Sequence, residues 1–204
     1  MKGHMSNSLR SFFAVFSVAV SSGFAAPASA QDTIKVAVGQ IDAWANQVPT
    51  LGMKAGIFQK HGIALENFGT QGAGETLQAV ISGSADIGIG VGTPGALRVF
   101  AKGALNADAL KKRNDVMVRF MRAYRETLDW MYSNPLAVKY YSEQMQMSES
   151  LVELQRNEFN PKSALNPDKV SDIDLVMQDA IAGKFLEKPL TPEQLAEFIQ
   201  IPPR

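Results

Sequence analysis

The feature that most constrains the fold is a change of sequence pattern near Gly103. Before this residue, short runs rich in β-branched residues alternate with short helical patterns, and glycines lie between them. After Asn106 the apolar residues recur with a period near 3.6, which predicts that the second half is almost entirely helical. Strands that alternate with helices form parallel sheets with right-handed crossovers, so the first half is predicted to be α/β.

Three strands are predicted in the first half. The stretch DTIKVAVG alternates and is β-branched over residues 33–38, and similar runs follow at residues 63–68 and 85–89. A short helix that ends at Gly56 and a second helix at residues 75–82 connect them. The strands are therefore expected to lie parallel.

The second half carries one long apolar stripe at helical spacing. Positions i, i+4, i+8, i+12 and i+15 of this stripe are Val116, Phe120, Tyr124, Leu128 and Met131. The pair Asn134–Pro135 ends the helix, and further helices are predicted at residues 135–147, 148–159, 167–182 and 191–200. The last of these begins with Thr191 and has Gln194 three residues later, the spacing of a capping box.

The first thirty residues have the pattern of an export leader. Lys2 and Arg10 form a basic start, FFAVFSV begins an apolar run, and Ala28-Ser29-Ala30 is the small-x-small pattern that signal peptidases accept. Cleavage after Ala30 predicts a soluble, exported product with no direct membrane insertion. The alternative is an N-terminal membrane anchor, although serines and Gly23 dilute the run below the ~20 apolar residues that a span needs.

Charge and cysteine content exclude several classes of protein. The leader holds two of the 20 Lys and Arg residues and none of the 20 Asp and Glu residues, which leaves 18 against 20 and a net charge of −2. Proteins that bind nucleic acids or anionic membranes need a basic face, so neither partner is expected. The sequence contains no cysteine, which excludes a lipoprotein anchor and a disulfide framework.

The loop after the first strand carries three candidate ligand contacts. In open α/β sheets, ligands bind outside the carboxyl ends of the strands. The loop QIDAWAN at residues 40–46 places Gln40, Asp42 and Trp44 there. Trp44 either stacks on a flat ligand or covers the end of the sheet as part of the core. Asp42 would repel an anion, which disfavours a purely anionic ligand.

Two further loops place helix N-termini at the same edge. In GTQGAGET the backbone N–H groups of Ala73, Gly74 and Glu75 are predicted to point into the crevice, where unpaired donors and the helix dipole favour an anion. In VGTPG, Thr93 is predicted to be an N-cap with Pro94 at the first helical position. The alternative for both loops is structural: a tight turn with Glu75 complementing the dipole, and a cap with no ligand.

Neither catalytic chemistry nor a metal site is predicted. His61, the only histidine after the leader, lies in a turn, and no second histidine or cysteine could complete a metal site with it. No serine at a strand end has a partner histidine nearby, so hydrolase chemistry is not supported. We therefore expect a non-enzymatic protein without a cofactor.

Two phrases carry a resemblance to a known family. KAGIFQKHGI at residues 54–63 and SGSADIGI at residues 82–89, together with the leader and the helical end FMRAYRETLDWMYSNP, resemble the periplasmic substrate-binding proteins of ABC transporters. The resemblance is to the group that binds nitrate, sulfonates, taurine or thiamine-pyrimidine precursors. It implies a periplasmic protein that binds a small-molecule solute and delivers it to the permease subunits of an ABC importer.

The resemblance also implies a specific architecture. Members of this family have the type II periplasmic-binding-protein fold, in which two α/β lobes enclose the ligand and the first lobe is built from both ends of the chain. Here the resemblance runs to about Lys102 and resumes at about Asn106, so the middle of the family pattern, including most of the second lobe, is absent.

The expected product is a single incomplete lobe with impaired binding. It would contain a signal peptide at residues 1–30, a βαβ part at residues 31–104 with strand order 2-1-3, and a helical part at residues 105–204. Two alternatives remain. The family fold also includes thiamine-pyrimidine synthases, enzymes that use pyridoxal phosphate and need a lysine, a histidine and typically cysteines. The other alternative is an exported adaptor without a ligand.

Overall fold

The computed structural model describes residues 31–103 and 112–204. The predicted leader at residues 1–30, its cleavage site after Ala30, and the junction at residues 104 and 105 lie outside these ranges. Within the described ranges, no helix combines the length and the apolar character needed to cross a membrane.

The strands of the described residues form one parallel sheet. They are β1 (Asp32–Gly39), β2 (Ile63–Thr70) and β3 (Ile87–Ile89), in the order β2-β1-β3. Every residue of β1 pairs with β2, beginning with Asp32 opposite Ile63, whereas only residues 36–38 pair with β3. The predicted parallel sheet of order 2-1-3 is therefore confirmed.

The third strand is shorter than the predicted range of residues 85–89. The backbone N–H of Asp86 donates to the carbonyl of Lys35 at 2.8 Å, and the Asp86 carboxylate accepts from the Lys35 N–H, also at 2.8 Å. One of the two hydrogen bonds between Lys35 and Asp86 is thus made by a side chain instead of the backbone. The regular ladder starts only at Ile87.

Helices account for most of the remaining described residues. They are α1 (Val48–Lys54), α2 (Ile57–Lys60), α3 (Ala73–Ile81), α4 (Thr93–Ala101), α5 (Asn114–Ser133), α6 (Pro135–Met145), α7 (Glu149–Leu154), α8 (Ile173–Ala182) and α9 (Pro192–Phe198). Single turns of 3₁₀-helix at Trp44–Asn46 and Lys162–Leu165 and a π-helical turn at Gln155–Phe159 complete the set. The second half is mostly helical, as predicted.

One predicted helix start is present in the structure, and another lies six residues later than predicted. The capping box before α9 is present, because the Thr191 hydroxyl accepts from the Gln194 N–H and the Gln194 side chain accepts from the Thr191 N–H. The helix predicted to begin at Pro167 begins instead at Ile173. The residue before it, Asp172, has a positive φ of 53°, which interrupts the helical path.

The largest core lies between the sheet and α5. Ile34, Val36 and Val38 share one face of β1 and are fully buried. They pack in one cluster with Phe58 of α2 and with Phe120 of α5. The predicted stripe of α5 faces the interior, with Tyr124 partly buried and its other members buried.

The opposite face of the sheet is covered by α3. Gly39 and Gly88 lie on this face, and a Cβ on Gly88 would be 3.0 Å from Val80 and 3.2 Å from the Thr76 methyl group. Glycine at these positions lets α3 approach the backbone of the sheet closely. Two smaller cores lie away from the sheet: one surrounds Trp44, and the other joins α4 to α8 and α9.

Candidate functional site

The carboxyl ends of the three strands meet at one edge of the sheet, and the loops that follow them are in contact. A Cβ on Gly92, just before α4, would lie 3.6 Å from the Cβ of Ala73, the first residue of α3. The N-termini of α3 and α4 are therefore neighbours. We call this region the carboxyl edge and define it by residues 39–46, 70–76 and 90–95.

Glycines and one asparagine make the close approach of β1 and β3 possible at this edge. A Cβ on Gly39 would be 2.7 Å from the Thr76 hydroxyl and 3.0 Å from the carbonyl of Gly90. Gly90 has a positive φ of 73°, a backbone conformation that residues other than glycine rarely adopt. Asn46 donates from Nδ2 to the Gly39 carbonyl at 2.7 Å, and this bond fixes the loop after β1 against the strand end.

The N-terminus of α3 presents backbone donors to solvent, and Ala73, Gly74 and Glu75 are all exposed. The first helical hydrogen bond runs from Thr76 N–H to the Gly72 carbonyl at 3.0 Å, so the three preceding N–H groups have no intrahelical acceptor. Gly72 provides no side-chain cap. Glu75 has a structural role as well, because its carboxylate accepts from the Gln71 N–H at 2.7 Å.

The N-terminus of α4 differs in detail from the prediction. Thr93 was expected to be the N-cap, but the cap is Gly92, which has a φ of 70°, and Thr93 is the first helical residue. The positive φ of Gly92 starts the helix one residue earlier than a threonine cap would. No side chain caps this helix, so the prediction of a Thr93 cap is wrong. Thr93 nevertheless lies at the carboxyl edge, partly buried.

The loop after β1 places Gln40 and Asp42 at the surface. Both side chains are exposed, and Gln40 has a positive φ of 50°. The Asp42 carbonyl accepts from the Tyr141 hydroxyl at 2.5 Å, which attaches the loop to α6. The exposed carboxylate of Asp42 would repel an anion that approached this loop.

Trp44 belongs to the core and not to the ligand-accessible surface. Its side chain is 0% exposed, and its indole N–H donates to the Tyr132 hydroxyl at 3.1 Å. Its ring meets the rings of Tyr132 and Tyr141 edge to face, with centroids 6.2 and 5.2 Å apart. Burial raises the pKa of both tyrosines. Stacking on a flat ligand is therefore the wrong interpretation of Trp44, and the core alternative is correct.

Sequence reasoning missed two threonines that shape the carboxyl edge. The hydroxyls of Thr70 and Thr76 are 2.5 Å apart in a buried pair, and Thr76 also donates to the Gly72 carbonyl at 2.9 Å. This pair joins the end of β2 to the first turn of α3. The sequence did contain a signal for this pair, because Thr70 ends a strand and Thr76 follows six residues later in the first part of the next helix.

The described residues contain no group of three or more His, Cys, Asp or Glu side chains that could hold a metal ion. His61, the only histidine after His4 in the sequence, lies within hydrogen-bond distance of the Glu126 carboxylate, with Nε2 and Oε2 2.8 Å apart. Lys60 donates to the same carboxylate at 2.7 Å. These contacts join the end of α2 to α5, which is a structural role.

The chain matches no protein-family model, no curated protein and no solved structure. The chemistry of the carboxyl edge follows from its own residues. Two neighbouring helix N-termini without side-chain caps offer N–H donors and positive dipole ends to an oxyanion. The exposed carboxylate of Asp42 on the adjoining loop favours a ligand that also carries positive charge.

Proposed function

We propose that this chain is the solute-binding component of an ABC importer, exported to the periplasm and reduced to one incomplete lobe of a type II periplasmic-binding-protein fold. Its ligand would be a small solute of the nitrate, sulfonate, taurine or pyrimidine class. The importer's permease subunits would be its partner. The proposal joins the family resemblance of the sequence to the chemistry of the carboxyl edge.

One observation carries the proposal: the uncapped N-termini of α3 and α4 lie side by side at the carboxyl ends of the strands. Each terminus offers backbone N–H groups before its first helical hydrogen bond. Ligands of open parallel sheets bind at this edge. A sulfonate or carboxylate group placed between the two termini would receive donors from both helices.

The charges at this edge favour a zwitterion over a simple anion. Asp42 is exposed on the loop after β1, and a cationic group of the solute could approach it while the anionic group contacts α3 and α4. Among the solutes of the proposed class, taurine carries both charges. We therefore expect taurine to bind more tightly than methanesulfonate or nitrate.

The affinity should be low because only one wall of the cleft is expected. In a two-lobed binder, closure of the second lobe removes water and adds contacts to the ligand. Losing these contacts costs several kcal/mol, and each ~1.4 kcal/mol is tenfold in affinity. We expect dissociation constants in the millimolar range.

Titration of ¹⁵N-labelled protein by NMR tests the proposal. Taurine, methanesulfonate, nitrate and a pyrimidine are added separately, and saturable shifts are expected at the amides of Ala73, Gly74 and Thr93. Shifts confined to other surfaces would contradict the assignment of the site. A flat titration with every solute would favour the ligand-free exported adaptor instead.

A pair of proline variants gives the matched control. Ala73→Pro removes one donor at the first position of α3, where proline is tolerated because no helical bond is lost. Glu149→Pro removes the backbone donor at the first position of α7, where Glu149 is exposed and lies outside the residues that define the carboxyl edge; it also removes one exposed carboxylate. Taurine binding should weaken in Ala73→Pro and remain unchanged in Glu149→Pro; equal effects in the two variants would refute the role of the α3 N-terminus.

A further inference from the structure

Gln31 lies between the predicted leader and the sheet. Its side chain is exposed, and β1 begins at the next residue, Asp32. Cleavage after Ala30 would leave a single residue ahead of β1, and that residue would be a glutamine with a free α-amine.

An N-terminal glutamine carries a nucleophile and an electrophile on the same residue. Its α-nitrogen and the side-chain carbon Cδ can close a five-membered ring, and reactions between groups held together in this way are strongly accelerated. Because the ordinary pKa of an α-amine is about 8, roughly a tenth of such amines are unprotonated and nucleophilic at pH 7. The chemistry therefore needs only the freed N-terminus of Gln31.

The contacts of Asp32 favour the unprotonated amine. A carboxylate beside an amine normally stabilises its charged form. The Asp32 carboxylate already accepts a hydrogen bond from Arg119, which also donates to the carbonyls of His61 and Gly62 at 3.2 and 3.1 Å. Arg119 thus engages the carboxylate that would otherwise hold the new α-ammonium protonated.

We infer, on the basis of the proposed export and leader cleavage, that Gln31 cyclises to an N-terminal pyroglutamyl lactam. The unprotonated α-nitrogen attacks Cδ and forms a bond to it. The bond between Cδ and Nε2 breaks, and ammonia leaves with the proton that the α-nitrogen loses. The reaction consumes no oxidant, reductant or other co-reactant.

The lactam would protect the central strand of the sheet. β1 lies between β2 and β3, and the Asp32 N–H donates to the Gly62 carbonyl at 3.0 Å. Aminopeptidases need a free α-amine, which the lactam lacks. Without the lactam, removal of one residue would expose Asp32 to the next cleavage, and its contacts with Gly62 and Arg119 would then be lost.

Mass spectrometry of the exported protein tests this modification. The full chain is expressed in a bacterial host, the periplasmic product is purified, and its intact mass is measured before any digestion, because released peptides that begin with glutamine can cyclise during handling. We expect the mass of residues 31–204 less one molecule of ammonia. Sequencing from the N-terminus should be blocked, and should begin at Asp32 after the denatured protein is treated with pyroglutamyl peptidase.

The possible results separate the lactam from the proposed function. The full mass of residues 31–204 would show cleavage without cyclisation and overturn the lactam alone. A chain that begins at any other residue would overturn both the proposed cleavage and the lactam. No solute is present in the measurement, so a failure of solute binding at the carboxyl edge would leave the result unchanged.

Gln31→Ser is the matched control variant. Serine has no side-chain carbonyl carbon for the amine to attack, and Ala28 and Ala30, which define the cleavage pattern, are unchanged. This variant should have the full mass of residues 31–204 and an N-terminus that can be sequenced directly. Loss of ammonia from Gln31→Ser as well would place the reaction elsewhere in the chain and overturn the assignment to Gln31.

Discussion

Substituting Gly52 by alanine tests the packing of α1 against α5 and the sheet. A Cβ at Gly52 would lie 2.5 Å from Phe58 Cε2 and 2.5 Å from Thr127 Oγ1. Both neighbours are constrained: Phe58 is 1% exposed and packs on Phe120 with ring centroids 5.4 Å apart. The buried Thr127 hydroxyl donates to the Ala123 carbonyl at 2.8 Å. Neither group can move without losing a contact of its own.

The expected loss of stability is the difference between two effects. Overpacking of a core lowers the free energy of unfolding by up to about 3 kcal/mol. Replacing glycine by alanine within a helix raises it by about 1 kcal/mol, because alanine has the higher helix propensity. Gly52→Ala should therefore lower the free energy of unfolding by about 2 kcal/mol. For a protein of this size, this corresponds to a fall in Tm of about 4–8 °C.

Gly95→Ala is the matched control for this experiment. Gly95 also lies in a helix, α4, but a Cβ there would be 3.5 Å from Leu77, an ordinary van der Waals distance. The same chemical change should be neutral or stabilising by up to about 1 kcal/mol at this position. Urea unfolding followed by circular dichroism measures both variants. If Gly52→Ala is as stable as Gly95→Ala, the packing of α1 described here is wrong.

Three further outcomes are expected from single groups. Burial raises the pKa of Tyr124 to about 12, so the contribution of this tyrosine to stability is full below pH 10 and declines as the pH rises toward 12. Urea unfolding at pH 9 and pH 11 should show a smaller loss of stability between the two pH values in Tyr124→Phe than in the unaltered protein. Hydrogen bonds from Lys60 and then His61 lower the pKa of Glu126, so the ionised carboxylate stabilises the fold above its ordinary pKa, and this stabilisation is lost as the pH falls. A ¹³C titration of the Glu126 carboxyl carbon should give a higher pKa in Lys60→Gln than in the unaltered protein. Thr191→Ala removes the side-chain cap of α9, which should lower stability by about 1 kcal/mol and speed hydrogen exchange of the Gln194 amide about fivefold. Thr191→Ser keeps the capping hydroxyl and should leave both quantities unchanged.

The parts of the fold that were predicted correctly are those in which local pattern and burial agree. The alternation in β1 places Ile34, Val36 and Val38 on one buried face, and the period of α5 places Val116 and Phe120 against them. Both patterns depend only on residues within one element. The strand order could be predicted as well, because right-handed crossovers leave few arrangements for three parallel strands.

The role of Trp44 could not be decided from the sequence because its partners are distant. Tyr132 and Tyr141, which enclose the indole, follow it by 88 and 97 residues. A tryptophan in a loop at the end of a strand has the same local pattern whether it is exposed to a ligand or covered by a later helix. Only the positions of α5 and α6 decide between these alternatives.

The N-terminus of α4 shows a different limit. The sequence GTPG contains both a good side-chain cap, Thr93, and a glycine, Gly92, that can adopt a positive φ. Capping preferences favour threonine at the cap, where its hydroxyl accepts a backbone hydrogen bond. A Cβ at Gly92 would meet only the Ala73 Cβ, at an ordinary van der Waals distance of 3.6 Å, so it is the positive φ of 70° and not a lack of space that favours glycine here. The backbone conformation of Gly92 thus decides a choice that side-chain capping preferences leave open.

The burial of Arg125 could not be predicted from the sequence for a similar reason. An arginine within an amphipathic helix is normally expected on the solvated face, and Arg125 lies away from the apolar stripe of α5. It is buried because Asp168, 43 residues later, and the carbonyls of Pro202 and Pro203, 77 and 78 residues later, satisfy its donors. The predicted helix start at Pro167 fails in the same segment, where Asp168 pairs with this arginine and the chain does not become helical until Ile173. A buried arginine with partners from two distant segments therefore holds Pro202 and Pro203 against α5.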